Sequence, residues 1–440
     1  MPALANDDFG LHDDDVIMDE AVDKAIFRST IMSSQDDADY GTLLRMFYQR
    51  FFPYKMYFNW LNYDTLPNKN FFNREFSFTL ASDVYLRYNS FADAEEFRRE
   101  IERLQPVKID IGAIYTAKPK DKKQLRPQAF QPVEKELVFD IDMTDYDEIR
   151  TCCSGGAICL KCWEFMTIAV KVLDEALRQD FGFKHLLWVY SGRRGVHCWV
   201  SDETARKLSN DSRKAIVTYL EVVKGGAQAS KKVRLNQLLH PSLSRALDVL
   251  KDYFPQLILE KQHVLAEPET WNKLLELISD QVIRQALDER WQADPTRSAQ
   301  AKWKDIKQQL LASNYNEARA ETVMREIIFQ YTYPRLDDNV SVHINHLLKS
   351  PFCVHPKTNR VCVPIDPQTC DSFNPLEVPT LARLHQELND YNSPYGSGKS
   401  LSDIEKTSLA PYIKIFDTFV NELLKEVRDQ KRGKSYGVLK

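Results

Sequence analysis

Strand-forming and helix-forming segments are interleaved along this chain, and the sequence predicts a mixed α/β fold with β-sheets flanked by helices. Three observations carry that reading. Residues 74–90 and 107–115 alternate apolar and polar side chains with the period of a strand. LLWVY at 186–190 and VHCWV at 196–200 flank a Ser-Gly-Arg-Arg-Gly tip in the pattern of a hairpin. Residues 203–330 then change to helical periodicity with three Trp and many charges, which predicts an inserted helical subdomain.

In chain order, residues 1–38 are acidic and turn-rich and read as a disordered extension. Residues 39–202 and 331–388 read as the body of the protein. Within them the aromatic and aliphatic stretch 41–63 reads as buried helix around Pro53, and the loop Lys118 to Gln128 is basic. ELVFDIDM at 136–143 is an apolar run rich in strand formers. A cysteine cluster follows at 152–162, then a helix over 163–179. Strand and turn signals return in 331–366, and a Ser/Gly/Tyr/Asn linker spans 389–402. The segment 403–440 reads as an amphipathic helix and tail that packs on this chain or on a partner.

The net charge of −4 misleads, because the first 40 residues hold 11 acidic side chains against Lys24 and Arg28. The other 400 residues carry 57 basic and 52 acidic side chains, a mildly basic body that suits a polyanionic ligand. No stretch has the apolar length of a membrane span and the N-terminus lacks a signal-peptide pattern, so no membrane association is expected. Eight cysteines without that pattern argue for reduced thiols or metal ligands over disulfides.

The chemistry begins with Asp140 and Asp142. On a strand, residues i and i+2 share a face, so their Cα atoms stand about 6.5–7 Å apart. Two carboxylates this close repel unless a cation lies between them, and hard divalent ions take such oxygen ligands. A solvated strand face paired with Lys or Arg is the alternative. Cys152, Cys153, Cys159 and Cys162 can close a four-thiolate site, which is structural and set apart from the chemistry; unrelated reduced thiols are the alternative. At the hairpin tip, Ser191 to His197 combine two glycines with Arg193 and Arg194, a pattern suited to phosphate. Further on, Asp337 is a third carboxylate, placed on one face with Arg335 by strand alternation, and Lys349, His355 and Lys357 add donors. His343 and His346, three apart, read as structural. Acidic ligands for two cations facing a basic cradle are the equipment for phosphoryl or nucleotidyl transfer.

ELVFDIDMTDYD, the CC-x5-C-x2-CW cluster, FGFKHLLWVYSGRRGVHCWV, PRLD and NHLLKSPFCVHPKT, in that order, closely resemble the small catalytic subunits of eukaryotic DNA primases, in the archaeo-eukaryotic primase family. REFSFTL at 74–80 and KIDIGAIY at 108–115 belong to the resemblance, which runs from about residue 41 to 427 and is weakest in 203–320. It implies the primase catalytic fold and a DNA-dependent RNA polymerase that makes short RNA primers. It further implies that Asp140, Asp142 and Asp337 bind two catalytic Mg²⁺ or Mn²⁺ ions and that Glu75 belongs to the active site. Ser191, Gly192, Arg193, Arg194, Gly195, Val196 and His197 would hold the triphosphate of a ribonucleotide. His346, Leu347, Leu348, Lys349 and His355, with Arg87 and Lys108, match further nucleotide contacts. The four cysteines match a knuckle holding one structural Zn²⁺.

The partners implied are single-stranded DNA template, the iron–sulfur large primase subunit as a heterodimer, and DNA polymerase alpha with its accessory subunit. The implied location is the nucleus. Three features depart from the family: the long acidic extension, Asp338 directly after Asp337, and Val342-His343 where relatives carry a Lys. A metal-dependent nuclease is the runner-up, but has little use for a triphosphate cradle. A zinc-stabilised nucleic-acid-binding subunit without activity is a further alternative, against which the intact carboxylates argue.

Overall fold

The computed structural model describes residues 34–224, 230–313, 315–391 and 401–437. Its strands are β1 (Arg74–Thr79), β2 (Tyr85–Asn89), β3 (Lys108–Tyr115), β4 (Pro132–Glu134), β5 (Leu137–Asp142), β6 (Leu186–Tyr190), β7 (Gly195–Val200), β8 (Leu348–Lys349) and β9 (Pro364–Ile365). One sheet runs β2-β1-β3-β4 with β8 also on β3; the other runs β5-β7-β6-β9. Every pairing of these strands is antiparallel. A helix (Leu160–Gln179) does connect β5 to β6. Even so, the short hairpin returns β7 into the space between them, so no parallel neighbours arise.

From Phe139 to Asp142, β5 alternates as expected, while Val138 on the aspartates' face is buried as well. Leu137, Phe139 and Ile141 are fully buried, while Asp140 and Asp142 are half-buried. Its neighbour β7 is aligned so that Asp140 opposes His197 and Asp142 opposes Gly195. Between β7 and β8 the described elements are all helices, from Glu203–Arg206 through Glu317–Thr332 to the short Asp338–Val342.

Several boundaries move. Residues 34–38, read as disordered, are the start of the helix Ser34–Arg50; residues 1–33 lie outside the described residues. The aromatic stretch forms two helices, because Pro53 interrupts the first and stands at the N-cap of Tyr54–Asn62. The helix read from 163 begins at Leu160, with Cys159 at its N-cap. Residues 389–391 of the linker are the last turn of the helix Leu381–Tyr391, and 392–400 lie outside the described residues. Residues 331–332, where strand signals were expected to return, end the preceding helix. The final helix starts at Ala410 and packs on this chain. Phe416 meets Trp60 edge to face at 5.8 Å, and Trp60 meets Trp199 of β7 at 5.6 Å. Trp60 Nε1 donates to Ser201 Oγ at 2.9 Å.

A buried ion pair joins the two sheets. Arg74 on β1 donates from Nη1 and Nη2 to both carboxylate oxygens of Glu136, at 2.7 and 2.9 Å, just before β5 begins. Both side chains are fully buried. Arg74 also reaches the carbonyls of Leu61 and Gly112, and Tyr63 Oη donates to Glu136. Burial pushes the Glu136 carboxyl up, but the Arg74 guanidinium outweighs it and holds the pKa at about 2. Removing one partner leaves the other charged and dry, so Arg74→Ala is expected to lose about 3–5 kcal/mol of stability in urea unfolding. Because the folded pKa of Glu136 lies below its ordinary 4.5, its contribution is complete above that value and fades as pH falls toward 2.

Candidate active site

The carboxylates meet at the end of the second sheet. Asp142 Oδ1 accepts from the backbone N–H of Thr144 at 2.8 Å and from its hydroxyl at 2.7 Å, which fixes the side chain at the start of the turn Met143–Tyr146. Its other oxygen takes 2.8 Å from Arg194 Nε. Asp337 approaches from outside the sheet, its backbone N–H donating to the Asp140 carbonyl at 3.2 Å. Residues 334–337 are not a strand, which corrects the strand-alternation argument for Asp337: it caps the helix Asp338–Val342, accepting from Asn339 N–H at 3.1 Å. Burial, Asp142 and Asp337 together push Asp140 up to about 8. Burial and Asp142 likewise raise Asp145 to about 6. Sequence reasoning missed Asp145, although it lies three residues after the pair in the same DIDMTDYD run.

Opposite the carboxylates lies the loop between β6 and β7. Gly192 has φ of 89°, and a Cβ there would stand 2.7 Å from His355 Cβ, so the chain passes beneath His355 only as glycine. Ser191 Oγ accepts from Gly195 N–H at 3.0 Å, and Thr358 Oγ1 donates to the Gly192 carbonyl at 2.6 Å. Lys349 on β8 donates to the Ser191 carbonyl at 3.1 Å, tying the first sheet to this loop. Val196 and Leu348 are buried, which leaves mainly their backbone for a ligand. His197 is not at the tip: it stands on β7 with Nε2 3.5 Å from Asp140 Oδ1. Burial and the nearby Lys349 lower its pKa to about 3, so it is a neutral neighbour of that carboxylate. Burial and Lys349 also hold His355 neutral, at about 2.

Glu75, Arg87 and Lys108 lie on the first sheet. Glu75 is buried and accepts from Arg87 Nε at 3.0 Å and from Tyr115 Oη at 3.1 Å, and no hydrogen bond joins it to Asp140 or Asp142. Leu347 packs near it, over Gly112. Lys108 Nζ stands 3.6 Å from Asp110, whose register partner is Lys349. The His346 carbonyl accepts from Lys135, a fully buried ammonium that had no sequence signal. Burial pushes the Lys135 pKa down to about 7 and the His346 pKa to about 4.

The thiols of Cys152, Cys153, Cys159 and Cys162 lie within 4.8 Å of one another and could hold a metal ion. A tetrahedral thiolate site places its sulfurs about 3.8 Å apart, and Cys159 Sγ is 3.9 Å from Cys162 Sγ. Burial pushes the Cys159 thiol up, yet the backbone N–H of Cys162 and the thiols of Cys152 and Cys153 bring it down to about 7. The cluster is not set apart from the basic loop: the Arg193 guanidinium lies against Gly156, between the second and third cysteines.

Acidic side chains clustered against a loop with two guanidiniums, carried on two antiparallel sheets, are the equipment of a phosphoryl- or nucleotidyl-transfer enzyme. A family model described as DNA primase small subunit matches residues 139–367. The DNA primase small subunit of Schizosaccharomyces pombe is 44% identical over 95% of this chain and 97% of its own length. Those of Drosophila melanogaster and Saccharomyces cerevisiae are 39% and 38% identical, each over 87% of this chain and 91% of their own lengths. The chain belongs to the DNA primase small subunit family.

With a folded pKa raised to about 8 from an ordinary 3.8, ionised Asp140 opposes folding. That penalty is absent below the ordinary value, grows as pH rises and is complete above about 8. Asp140→Asn is therefore expected to melt at a higher temperature than the parent at alkaline pH without divalent ions, and equally at pH 4. Calorimetry at both pH values checks this.

Proposed function

We propose that this chain makes short RNA primers on single-stranded DNA for replication, by two-metal nucleotidyl transfer from ribonucleoside triphosphates. The observation that carries the reading is the ion pair between Asp142 and Arg194, which joins the acidic cluster and the basic loop in one site. Asp140, Asp142 and Asp337 would hold two Mg²⁺ or Mn²⁺ ions, and their mutual repulsion is the electrostatic sign of such a place. Bound, the ions neutralise charge on the transferring phosphoryl group and activate the attacking hydroxyl.

Arg193, Arg194 and Lys349 receive the triphosphate, with the backbone of Ser191 to Val196 lining its path. His355 and His197, both neutral, contribute hydrogen bonds without adding charge. Glu75, held by Arg87, and the strand-end residues Lys108 and His346 to Lys349 border the nucleotide from the first sheet. Template phosphates suit the loop after β3, where Lys118, Lys122, Lys123 and Arg126 are exposed. A nuclease has no comparable use for the 191–197 loop.

The cysteine cluster holds one structural Zn²⁺. The iron–sulfur large primase subunit completes a heterodimer that works with DNA polymerase alpha and its accessory subunit, in the nucleus. Among the described residues no second triphosphate cradle stands beside the first, so the partner supplies what initiation from two free nucleotides needs.

Primer extension with labelled ribonucleotides, Mg²⁺ or Mn²⁺ and a single-stranded DNA template tests the activity. Asp142→Ala is expected to abolish nucleotide addition with circular dichroism unchanged; synthesis at the parental rate would remove the metal assignment. Elemental analysis should find about one zinc per chain, in line with one closed site. Cys159→Ser should lower the melting temperature along with the zinc content.

A further inference from the structure

Gly155 and Gly156 adjoin in sequence but are glycines for different reasons. Gly155 has φ of +55°, and a Cβ there would meet nothing within 4 Å. Gly156 has no positive φ, so an L side chain suits its backbone. A Cβ at Gly156 would instead stand 1.8 Å from Arg193 Nη2, 2.6 Å from Cζ and 3.0 Å from Nε. One edge of the guanidinium thus rests on the bare Cα of Gly156, a seat that any side chain would fill.

The seat is firmly built. Asp147 Oδ2 accepts from Gly155 N–H at 2.9 Å. The buried Arg150 donates to the carbonyls of Gly155 at 2.7 Å and Ala157 at 2.9 Å. Ala157 N–H closes a turn on the Ser154 carbonyl at 3.2 Å. The four clustered thiols bracket this turn, and Thr151 before them is tied to Gln262 at 2.8 Å through its backbone N–H. Arg193 is also held at its root, where its carbonyl accepts from Tyr190 Oη at 3.0 Å. The neighbouring Arg194 is oriented by a different device, the Asp142 carboxylate.

We propose that the turn inside the cysteine cluster is a positioning element for the nucleotide, with Gly156 as the residue that sets the Arg193 guanidinium for the triphosphate. The inference rests on the reading of the 191–197 loop as the triphosphate site. It assigns the cluster a second role beyond stability: ordering this turn orders one of the two guanidiniums. A side chain at 156 displaces the guanidinium, which is the far end of a flexible side chain, and leaves the backbone where it is.

The test is a double-mutant cycle of Gly156→Ala and Arg193→Ala in the full chain with its zinc bound. Two quantities are read: steady-state primer extension, and equilibrium binding of a non-hydrolysable ribonucleoside triphosphate. Gly156→Ala is expected to raise KM for the nucleotide and weaken analogue binding roughly tenfold, the scale of one hydrogen bond to a charged group. The kcat, the zinc content and the melting temperature stay at parental values. In the Arg193→Ala background the same substitution has no further effect. Unchanged KM and binding in Gly156→Ala overturn the proposal, and so does an equal loss in both backgrounds. If Arg193→Ala alone leaves analogue binding intact, the triphosphate reading of the loop falls and the proposal falls with it.

Discussion

The bidentate pair between Arg74 and Glu136 sits where the two sheets meet, and the site inherits its geometry from that junction. Glu75 follows Arg74 on β1, and β5 with its two aspartates starts one residue after Glu136. Charges this deeply buried are tolerable only when their mutual attraction is backed by further hydrogen bonds. Tyr63, Leu61 and Gly112 supply such bonds, and Arg74 Nε is left without one. Arg213, also buried, donates to the carbonyls of Lys135 and Glu136 and closes the same junction from the helical side. The arrangement selects one relative placement of the sheets, since sliding either would strand a charge in a dry interior.

From the first sheet, Lys349 balances the site. Its ammonium touches the Ser191 carbonyl. Its charge offsets part of the repulsion felt by Asp140 and helps keep His197 and His355 neutral. One cation from the first sheet therefore acts on both the acidic and the basic half of a site built mainly on the second. β8, only two residues long, is enough to deliver it, because pairing with Asp110 and Ile111 fixes its register.

What the sequence made legible follows the range of the forces involved. The shared face of Asp140 and Asp142 and the hairpin around Arg193 and Arg194 depend on local periodicity and turn chemistry, and both stand as read. The four cysteines lie within eleven residues, and their thiols do converge. Asp337 does stand beside Asp140, but not for the reason read from strand alternation: a helix cap and one backbone hydrogen bond put it there. The antiparallel order of β5, β7 and β6 was not legible, since nothing local says which strand lies in the middle. Lys135, Asp145 and the seat beneath Arg193 escaped for a related reason. Each draws its significance from neighbours that tertiary folding alone brings close.

The packing of Phe416 on Trp60 bears on how the chain reaches its native state. Trp60 is also covered by Trp199, so three aromatic rings from distant parts of the sequence close one wall of the core. Another ion pair, Arg50 with Asp403, spans 353 residues. Contacts of such separation form late and slowly, because loop closure must precede their reward. On the ribosome the catalytic strands emerge well before the helix that shields them. A large aromatic surface then stays uncovered through most of synthesis, a condition that makes nascent chains prone to association and dependent on chaperones.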